Sequence, residues 1–503
     1  MSHQHRLDTG AEFEAVIGLE VHCQLATESK IFCSCPARRV EGKSVSEIAP
    51  NLNSCPICAA HPGTLPVLNR KVVEYAIRAG LATHCTIAKN NVFARKNYFY
   101  PDLPKGYQIS QYDKPICENG FIEISTGSVL RKIPIQRIHM EEDAGKSVHS
   151  GSYTTVNLNR AGVPLVEIVS GPDLRSAEEA GAYLRALYAI VTYIGICDGN
   201  LQEGNFRCDA NVSVMPKGSK VLGTRAEIKN VNSFKFVEKA IEYEIVRQIS
   251  VIQGGGKIVQ ETRTYDADQD ITISMRSKEE AHDYRYFPDP DLVSVQIDDA
   301  WIERVRKSLP ELPEQKKTRY VEELGLSVYD AGVLTGSQTL AGFFEQVLEL
   351  LEKSGIAAKS GAKPVANLLT GEVARRLNEE AIEITQSLLK PEHLSDAVQL
   401  LQSEALSSTG AKQLLSIAWK TGEKVSVIVS REGLTQVSDV STLEPAIDQV
   451  IAANPKQVGA FRAAPEENAK LIGFFVGQVM KATGGKANPG MLQELIKTRL
   501  LKG

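Results

Sequence analysis

The segment Val16-Ile17-Gly18-Leu19-Glu20-Val21-His22-Cys23-Gln24-Leu25, near the start of the chain, has an apolar residue at every second position. This period is typical of a β-strand with one buried face. We therefore expect a core-facing row made of Ile17, Leu19, Val21, Cys23 and Leu25. The opposite face then carries Glu20, His22 and Gln24.

A second segment, Phe206 to Val214, has the same period and places Arg207, Asp209 and Asn211 on its outward face. Ordinary solvent-facing strands carry interchangeable Thr, Lys and Ser. Both outward rows instead concentrate groups that bind metal ions and move protons. Together they predict a sheet whose polar face lines a cleft. For either strand alone, a charged and merely solvated face is an equal alternative.

The composition is that of an ordinary globular protein: 503 residues, 43% hydrophobic and 23% charged. At about 150 residues per domain, this length predicts roughly three domains. The chain has no run of eighteen apolar residues, and its first ten residues are polar, so we expect a cytoplasmic protein without a membrane span or secretory signal.

The charge is unevenly distributed. The net charge of −4 argues against a protein that coats nucleic acid non-specifically. Residues 409–503 hold twelve Lys/Arg and eight Asp/Glu, a net of +4, which leaves −8 for the rest. A mildly basic tail on an acidic body fits local contact with a polyanion.

Four of the nine cysteines form two close pairs, Cys33 with Cys35 and Cys55 with Cys58, separated by nineteen residues. Two thiolate pairs across a loop match a closed, structural, tetrahedral zinc site. Chance clustering is the alternative, and His61 is a less favoured ligand. Cys23 and Cys208 fall on apolar strand faces and are expected to be core residues.

Several other segments carry chemistry. The segment 137–147 places Glu141, Glu142 and Asp143 beside His139 and Lys146, which suits a metal or phosphate site. Gly145-Lys146-Ser147 resembles the end of a P-loop, but Met140 stands where that motif needs glycine. A further carboxylate, Glu167, is isolated among apolar residues and needs a positive partner.

Two later segments add to these candidates. Arg225, Glu227 and Lys229 share one face of an alternating segment. The aromatic and cationic segment 95–112 suits contact with a nucleotide, sugar or base, although a well-packed structural loop is about as plausible. From Trp301 onward helical periodicity dominates, and the Ser, Gly and Ala-rich residues 353–363 are expected to form a linker.

Six motifs, in order, resemble one family. They are Val-Ile-Gly-Leu-Glu-Val-His (16–22), Arg-Lys-Asn-Tyr-Phe-Tyr-Pro-Asp-Leu-Pro-Lys-Gly-Tyr-Gln-Ile-Ser-Gln (95–111), His-Met-Glu-Glu-Asp-Ala-Gly-Lys-Ser (139–147), Leu-Asn-Arg-Ala-Gly-Val-Pro-Leu-Val-Glu-Ile (158–168), Arg-Cys-Asp-Ala-Asn-Val-Ser (207–213) and Asp-Tyr-Arg-Tyr-Phe-Pro (283–288). This set is similar to the B subunits of aspartyl/glutamyl-tRNA amidotransferases, and the similarity covers essentially the whole chain.

The resemblance implies an α+β fold: a cradle-like catalytic domain with a largely antiparallel sheet and the zinc loop (12–298), a helical domain (299–408) and a helical tail that contacts tRNA (409–503). It implies an ATP-dependent carbon–nitrogen ligase with glutamine as amido donor. The side-chain carboxylate of misacylated glutamyl-tRNA(Gln), aspartyl-tRNA(Asn) or both is phosphorylated, and ammonia then displaces the phosphate. The implied partners are an amidase (A) subunit, which supplies ammonia, and a small C subunit, in a heterotrimer.

The resemblance also implies site residues. His22, Glu142 and Glu167 carry over as the catalytic, magnesium-centred group, with Glu20 as a further magnesium ligand. Lys146, Arg207, Asp209, Arg225 and Glu227 are additional cleft candidates. Only some members of the family carry the four-cysteine site, so the prediction of zinc depends mainly on this chain's own cysteines.

Two rival functions stay open: a non-catalytic tRNA-binding scaffold with a structural salt network, and an ATP-dependent ligase that aminates a small carboxylate.

Overall fold

The computed structural model describes residues 12–40, 43–44, 47–127, 129–231, 233–277, 284–380, 382–435, 440–483, 487 and 489–502. Asp283 of the sixth motif lies outside these residues. The chain divides into two compact units, Met1–Leu312 and Pro313–Gly503. The predicted three-way division at 298/299 and 408/409 stays a prediction.

Within the described residues, the first unit contains the strands and four helices. Its strands are β1 (Phe13–Gln24), β2 (Arg39–Val40), β3 (Lys43–Ser44), β4 (Thr86–Ile87), β5 (Asn90–Asn91), β6 (Ala94–Asn97), β7 (Tyr107–Ser110), β8 (Cys117–Thr126), β9 (Val129–Glu142), β10 (Lys146–Ser150), β11 (Tyr153–Asn157), β12 (Pro164–Ser170), β13 (Phe206–Pro216), β14 (Ala226–Val231), β15 (Glu261–Asp266), β16 (Ile271–Ser277), β17 (Phe287–Pro288) and β18 (Val295–Gln296). Its helices are α1 (Arg70–Ala82), α2 (Ala177–Tyr193), α3 (Phe234–Gln253) and α4 (Asp299–Lys307).

One large sheet organises this unit. Among the described residues nine strands join it in the order β16-β15-β14-β13-β1-β12-β9-β8-β4. Neighbouring strands are antiparallel, except that β14 and β15 run parallel. Because β1 lies between β12 and β13, His22 stands opposite Glu167 on one side and Arg207 on the other. The outward rows of the two opening segments are therefore adjacent.

The inward face of the sheet is the core. The predicted row of β1 is at most 1% exposed. It packs in one cluster with buried residues of α1, α2 and α3. Cys23 and Cys208 are both buried, as predicted. Ser176 and Ser233 accept backbone N–H hydrogen bonds at the starts of α2 and α3, which fixes where these helices begin.

The second unit is helical, and the α+β prediction is confirmed. Its helices are α5 (Pro313–Glu322), α6 (Val328–Thr335), α7 (Gln338–Lys353), α8 (Ala358–Leu368), α9 (Ala374–Glu380), α10 (Pro391–Gln402), α11 (Ser408–Thr421), α12 (Val425–Glu432), α13 (Val440–Ala453), α14 (Pro455–Ala463), α15 (Lys470–Ala482) and α16 (Pro489–Lys502). A π-helical turn (Leu369–Val373) follows α8, and a 3-10 turn (Ile384–Gln386) precedes α10.

Two hydrophobic clusters stabilise these helices, one within residues 320–434 and one within 443–500. The predicted linker at 353–363 is wrong, because α8 begins at Ala358. Gly361 and Ala362 are buried there, so the small residues serve close packing. No helix in the described ranges is both long and apolar enough to cross a membrane.

Candidate functional site

A histidine and two carboxylates converge on the polar face of the sheet. His22 Nε2 lies 3.5 Å from Glu141 Oε1 and 3.4 Å from Glu167 Oε2. One ligand atom from each of these residues lies within 4.8 Å of the other two. This spacing lets the three side chains bind one cation together.

Strand register brings them together. In β1, β12 and β9 the residues His22, Glu167 and His139 stand directly opposite one another, in one row across the sheet. Glu141 lies two residues further along β9, so its side chain points to the same face as His139. His139 Nε2 lies 3.3 Å from Glu167 Oε2 and 3.8 Å from Glu141 Oε2.

These charges perturb one another. Burial acts against ionisation of Glu167, but the charge of His139 and hydrogen bonds from both histidines lower the pKa of this carboxyl well below its usual range. Burial likewise opposes protonation of His139, but the charge of Glu167 and hydrogen bonding to Glu141 raise the pKa of the imidazole to about 9. The buried Glu167 carboxylate is thus held ionised by nearby positive charge.

A magnesium ion fits this donor set. Carboxylate oxygens are the side-chain ligands that Mg²⁺ prefers, and Glu141 and Glu167 supply them. His22 Nε2, close to both carboxylates, would serve as a third ligand.

Glu142, the residue inferred from the sequence, points to the other side of β9. It is 3% exposed. Its Oε1 accepts a hydrogen bond from the Ile109 backbone N–H at 2.9 Å and forms an ion pair with Lys105. The structure therefore brings His22 and Glu167 together with Glu141, while Glu142 joins β9 to the segment that contains Lys105.

A cavity of about 370 Å³ opens beside this group. His22, Glu141 and Asp209 contribute acid–base and metal-binding groups to its wall. Cations come from three different elements: Lys96 in β6, Arg207 in β13 and Lys229 in β14. This mixture of carboxylates and cations suits a phosphorylated ligand bound with a metal ion.

Two further cleft candidates are joined by Lys229. Its Nζ donates to Asp209 Oδ2 at 2.5 Å and to Glu227 Oε1 at 3.0 Å. Burial opposes its charge, but the two carboxylates raise the pKa of the ammonium. Arg207 lies 3.4 Å from Asp143, whose carboxylate also binds Arg160 at 2.6 Å.

The remaining predicted residues lie at different places. Glu20 is half-buried and accepts a hydrogen bond from Asn211 Nδ2 at 3.0 Å. Burial and the charges of nearby carboxylates raise the pKa of Glu20. In the described part of the chain, Lys146 in β10 and Arg225 just before β14 are exposed and do not line the cavity.

The sequence reasoning missed Glu141 and His139 as members of the carboxylate group. The apolar residues Ile138 and Met140 were a usable signal, because they assign His139 and Glu141 to the opposite face of the strand. Lys96 and Tyr98 of the cavity wall were noted only as part of an aromatic and cationic segment.

The four cysteines Cys33, Cys35, Cys55 and Cys58 form the predicted cluster, and all are free thiols. Cys58 Sγ lies 3.6, 3.9 and 3.7 Å from the sulfur atoms of Cys33, Cys35 and Cys55. A zinc–sulfur distance of about 2.3 Å gives a tetrahedron with edges of about 3.8 Å. The cluster therefore has the dimensions of a four-thiolate metal site.

A fully buried lysine lies beside the cluster. Lys30 Nζ lies 3.3 Å from Cys58 Sγ and donates to the Asn53 carbonyl at 3.0 Å. Hydrogen bonding from Cys33 and the Lys30 charge lower the pKa of the Cys58 thiol to about 4 despite burial. The ammonium offsets part of the negative charge that four thiolates around a divalent ion would carry.

Comparisons with known proteins identify the family of the chain. The family described as the GatB/GatE catalytic domain matches residues 15–303, and that described as the GatB domain matches 344–500. The first match covers the carboxylate group, the four cysteines and the strands of the large sheet. The chain is thus, by fold and domain content, of the amidotransferase B-subunit class.

Full-length relatives define the family more closely. A protein of Trichlorobacter lovleyi is 57% identical over 489 residues, covering 97% of this chain and 99% of the relative. Proteins of Geobacter sulfurreducens and Thermodesulfovibrio yellowstonii are 55% and 53% identical, covering 97% and 96% of this chain and 99% and 98% of their own lengths. All three are named as the B subunit of aspartyl/glutamyl-tRNA(Asn/Gln) amidotransferase. The chain belongs to this family of amidotransferase B subunits.

Proposed function

We propose that this chain uses ATP to phosphorylate the side-chain carboxylate of a misacylated tRNA, glutamyl-tRNA(Gln), aspartyl-tRNA(Asn) or both, and then forms the amide with ammonia. The observation that carries the proposal is the convergence of His22, Glu141 and Glu167 within 4.8 Å. These residues lie beside a cavity whose wall also contains lysine and arginine side chains. Family membership supports the choice of substrate.

The chemistry has two steps. The substrate carboxylate oxygen attacks the γ-phosphorus of ATP, which releases ADP and leaves an acyl phosphate. Ammonia then attacks the acyl carbon, inorganic phosphate leaves with the bonding electron pair, and the amide forms after loss of a proton. A magnesium ion held by Glu141, Glu167 and His22 would supply charge neutralisation for the ATP phosphates.

Residues of the cavity wall have separable roles in this scheme. Lys96 and Arg207 neutralise phosphate oxygens, because charge accumulates there during phosphoryl transfer. Asp209 and Glu227, which both bind Lys229, and Glu20, which binds Asn211, are assigned to a further metal ion or to ammonia binding. Glu142 holds Lys105 and the Ile109 backbone, and it supports the strand that carries Glu141.

The remaining assignments follow the family. An amidase A subunit would deliver ammonia from glutamine, a small C subunit would complete a heterotrimer, and the complex would act in the cytoplasm. A structural zinc ion would bind the four cysteines, whose sulfur spacing supports it.

Assembly with the amidase and C subunits, followed by ADP measurement with and without each misacylated tRNA, tests the proposal. We expect ADP and amidated tRNA only with a misacylated tRNA present. ATP consumption that ignores tRNA would favour a small-carboxylate ligase. Binding of tRNA without any ATP consumption would favour a scaffold.

A further inference from the structure

A continuous row of aromatic rings leads away from the cavity. Tyr98 lies on the cavity wall. Its ring meets that of Tyr284 edge to face, with centroids 6.0 Å apart, and Tyr284 meets Tyr286 in the same way at 6.0 Å. The Tyr286 ring stacks on Tyr112 at 4.2 Å with an interplanar angle of 4°. We refer to Tyr98, Tyr284, Tyr286 and Tyr112 as the tyrosine row.

The far end of the row borders a second pocket of about 130 Å³. Tyr112, Tyr286 and Phe287 form its aromatic wall. Tyr112 is 47% exposed although one of its faces is covered by Tyr286, so the opposite face is open. At the other end of the row, Tyr100 contacts Tyr98 and is itself exposed.

Tyr98, Tyr284 and Tyr286 are partly buried, whereas Tyr100, Tyr112 and Phe287 expose about half of their surface. Large exposed aromatic rings that lie together mark an interaction site. Flat rings in succession are the means by which proteins bind unpaired nucleotides, since every base has a face that stacks. Lys96 adds a cation to the row, with its Nζ 4.8 Å from the centre of the Tyr284 ring.

The row begins at the cavity that Glu141 and His22 also line. Burial and the charges of Glu141 and Glu167 raise the pKa of Tyr286.

We propose that the tyrosine row binds the unpaired 3′ end of the substrate tRNA and leads the aminoacyl group into the cavity. This inference rests on the proposed function. The adenine of ATP is the competing source of a base. However, ATP has one base, whereas exposed rings are present at Tyr100, Tyr112 and Phe287. Among the described residues that line the second pocket, the single cation Lys114 is adjacent to Asp113, which does not suit a triphosphate.

Steady-state kinetics of the assembled complex test this assignment. Tyr112→Ala should raise the KM for misacylated tRNA about tenfold, because it removes a stacking face. The KM for ATP should change less than twofold. Tyr112→Phe keeps the ring and should behave like the unaltered protein. Tyr153→Ala, at an exposed tyrosine of the β10–β11 hairpin, is the matched control.

A direct binding readout accompanies the kinetics. The probe is a single-stranded oligonucleotide that ends in CCA, with 2-aminopurine as its terminal base. Its fluorescence should be quenched by the complex and by the Phe variant, and about tenfold more weakly at equal concentration by the Ala variant.

An unchanged KM for tRNA and unchanged quenching in Tyr112→Ala would overturn the inference. So would a rise in the KM for ATP alone, which would assign the second pocket to adenine. In both cases tRNA-dependent ADP formation by the unaltered complex would leave the proposed function standing. Absence of that activity would instead refute the proposed function.

Discussion

Glu141 and Glu142 are neighbours with opposite orientations, and substitution of each to glutamine separates their roles. Glu141 faces His22 and Glu167, so Glu141→Gln should remove a metal-binding charge and leave the fold intact. We expect tRNA-dependent ADP formation to fall about a thousandfold or more, with a raised Mg²⁺ requirement. Added ammonium salt should not restore it, because the blocked step precedes amide formation.

Glu142→Gln should act mainly on stability. The substitution leaves Lys105 without its carboxylate partner in a half-buried place, at a cost of about 1–3 kcal/mol. Chemical denaturation should show this loss, and Mg²⁺ dependence should stay close to that of the unaltered protein. Intact stability combined with a raised Mg²⁺ requirement would make Glu142 the metal ligand, as the sequence motif alone suggests.

This pair shows where sequence reasoning ends. The period of two in β1 and β13 predicted which side chains are buried, because burial of one face is a local property of a strand. The choice between Glu141 and Glu142 depends on which face of β9 meets the cleft. The alternation of Ile138 and Met140 indicates that face, but Glu142 is also buried, on the other side of the strand, where Lys105 pairs with it. That ion pair joins distant segments, so the local sequence does not show it.

At the scale of single elements, the loop with the four cysteines was predictable because its ligands lie in two short motifs. We expect about one zinc per purified chain, as one closed four-thiolate site would hold. Replacement of both Cys35 and Cys58 by serine should remove the metal and lower thermal stability, since metal binding is coupled to folding of the loop.

Metal analysis by mass spectrometry is the measurement. Cys85→Ser, at a buried thiol outside the cluster, is the control and should keep its zinc. Unchanged zinc content in the double variant would locate the metal elsewhere.

Ion pairs between α5 and α7 predict that the stability of the second unit depends on pH. Glu345 accepts from Lys316 Nζ at 2.8 Å and from Arg319 at 2.5 Å. Burial works in the opposite direction, but these cations lower the pKa of Glu345. A carboxylate whose folded pKa is lowered stabilises the protein above its unfolded pKa and loses that contribution as pH falls.

Glu345→Gln should therefore lower the free energy of unfolding by about 1 kcal/mol at pH 7. The difference from the unaltered chain should shrink as pH falls below the ordinary pKa of 4.5 towards pH 3.5. Urea denaturation at several pH values between 7 and 3.5 measures this difference in the free energy of unfolding. Glu349→Gln, at an exposed position one turn later in α7, should show no such trend. A difference that is independent of pH would mean that packing, rather than charge, is responsible.

The incorrect prediction of a linker at residues 353–363 has a physical explanation. Ser, Gly and Ala are common in linkers, but they also let two helices approach closely. A Cβ atom at Gly361 would lie 2.7 Å from Leu351 Cδ1. Composition alone does not distinguish these cases, because the close approach depends on where α7 ends and how α8 folds back on it.

For the whole molecule, the basic tail is predicted to bind tRNA and to have little part in the chemistry. Residues 411–434 belong to the hydrophobic cluster of 320–434, whereas 443–500 have a cluster of their own. A truncation after Thr435 therefore removes the second cluster and spares the first. It should raise the KM for misacylated tRNA and reduce its salt dependence, because a protein with fewer cations near phosphates releases fewer counterions on binding. The glutaminase activity of the partner and the KM for ATP should not change.

A full-length variant in which four lysines are replaced by uncharged residues tests this prediction without truncation. Lys456, Lys470, Lys481 and Lys497 are exposed, so their replacement by glutamine should leave the fold intact. If these cations bind phosphates, the slope of log KM for tRNA against log salt should fall by about 0.9 for each duplex phosphate that the variant no longer neutralises. The same four-lysine variant should keep its Mg²⁺ requirement, because the carboxylate group lies in the other unit. If the slope and the tRNA affinity stay unchanged in both proteins, the excess of lysine and arginine is a solvated surface, and tRNA affinity depends on the sheet-containing unit.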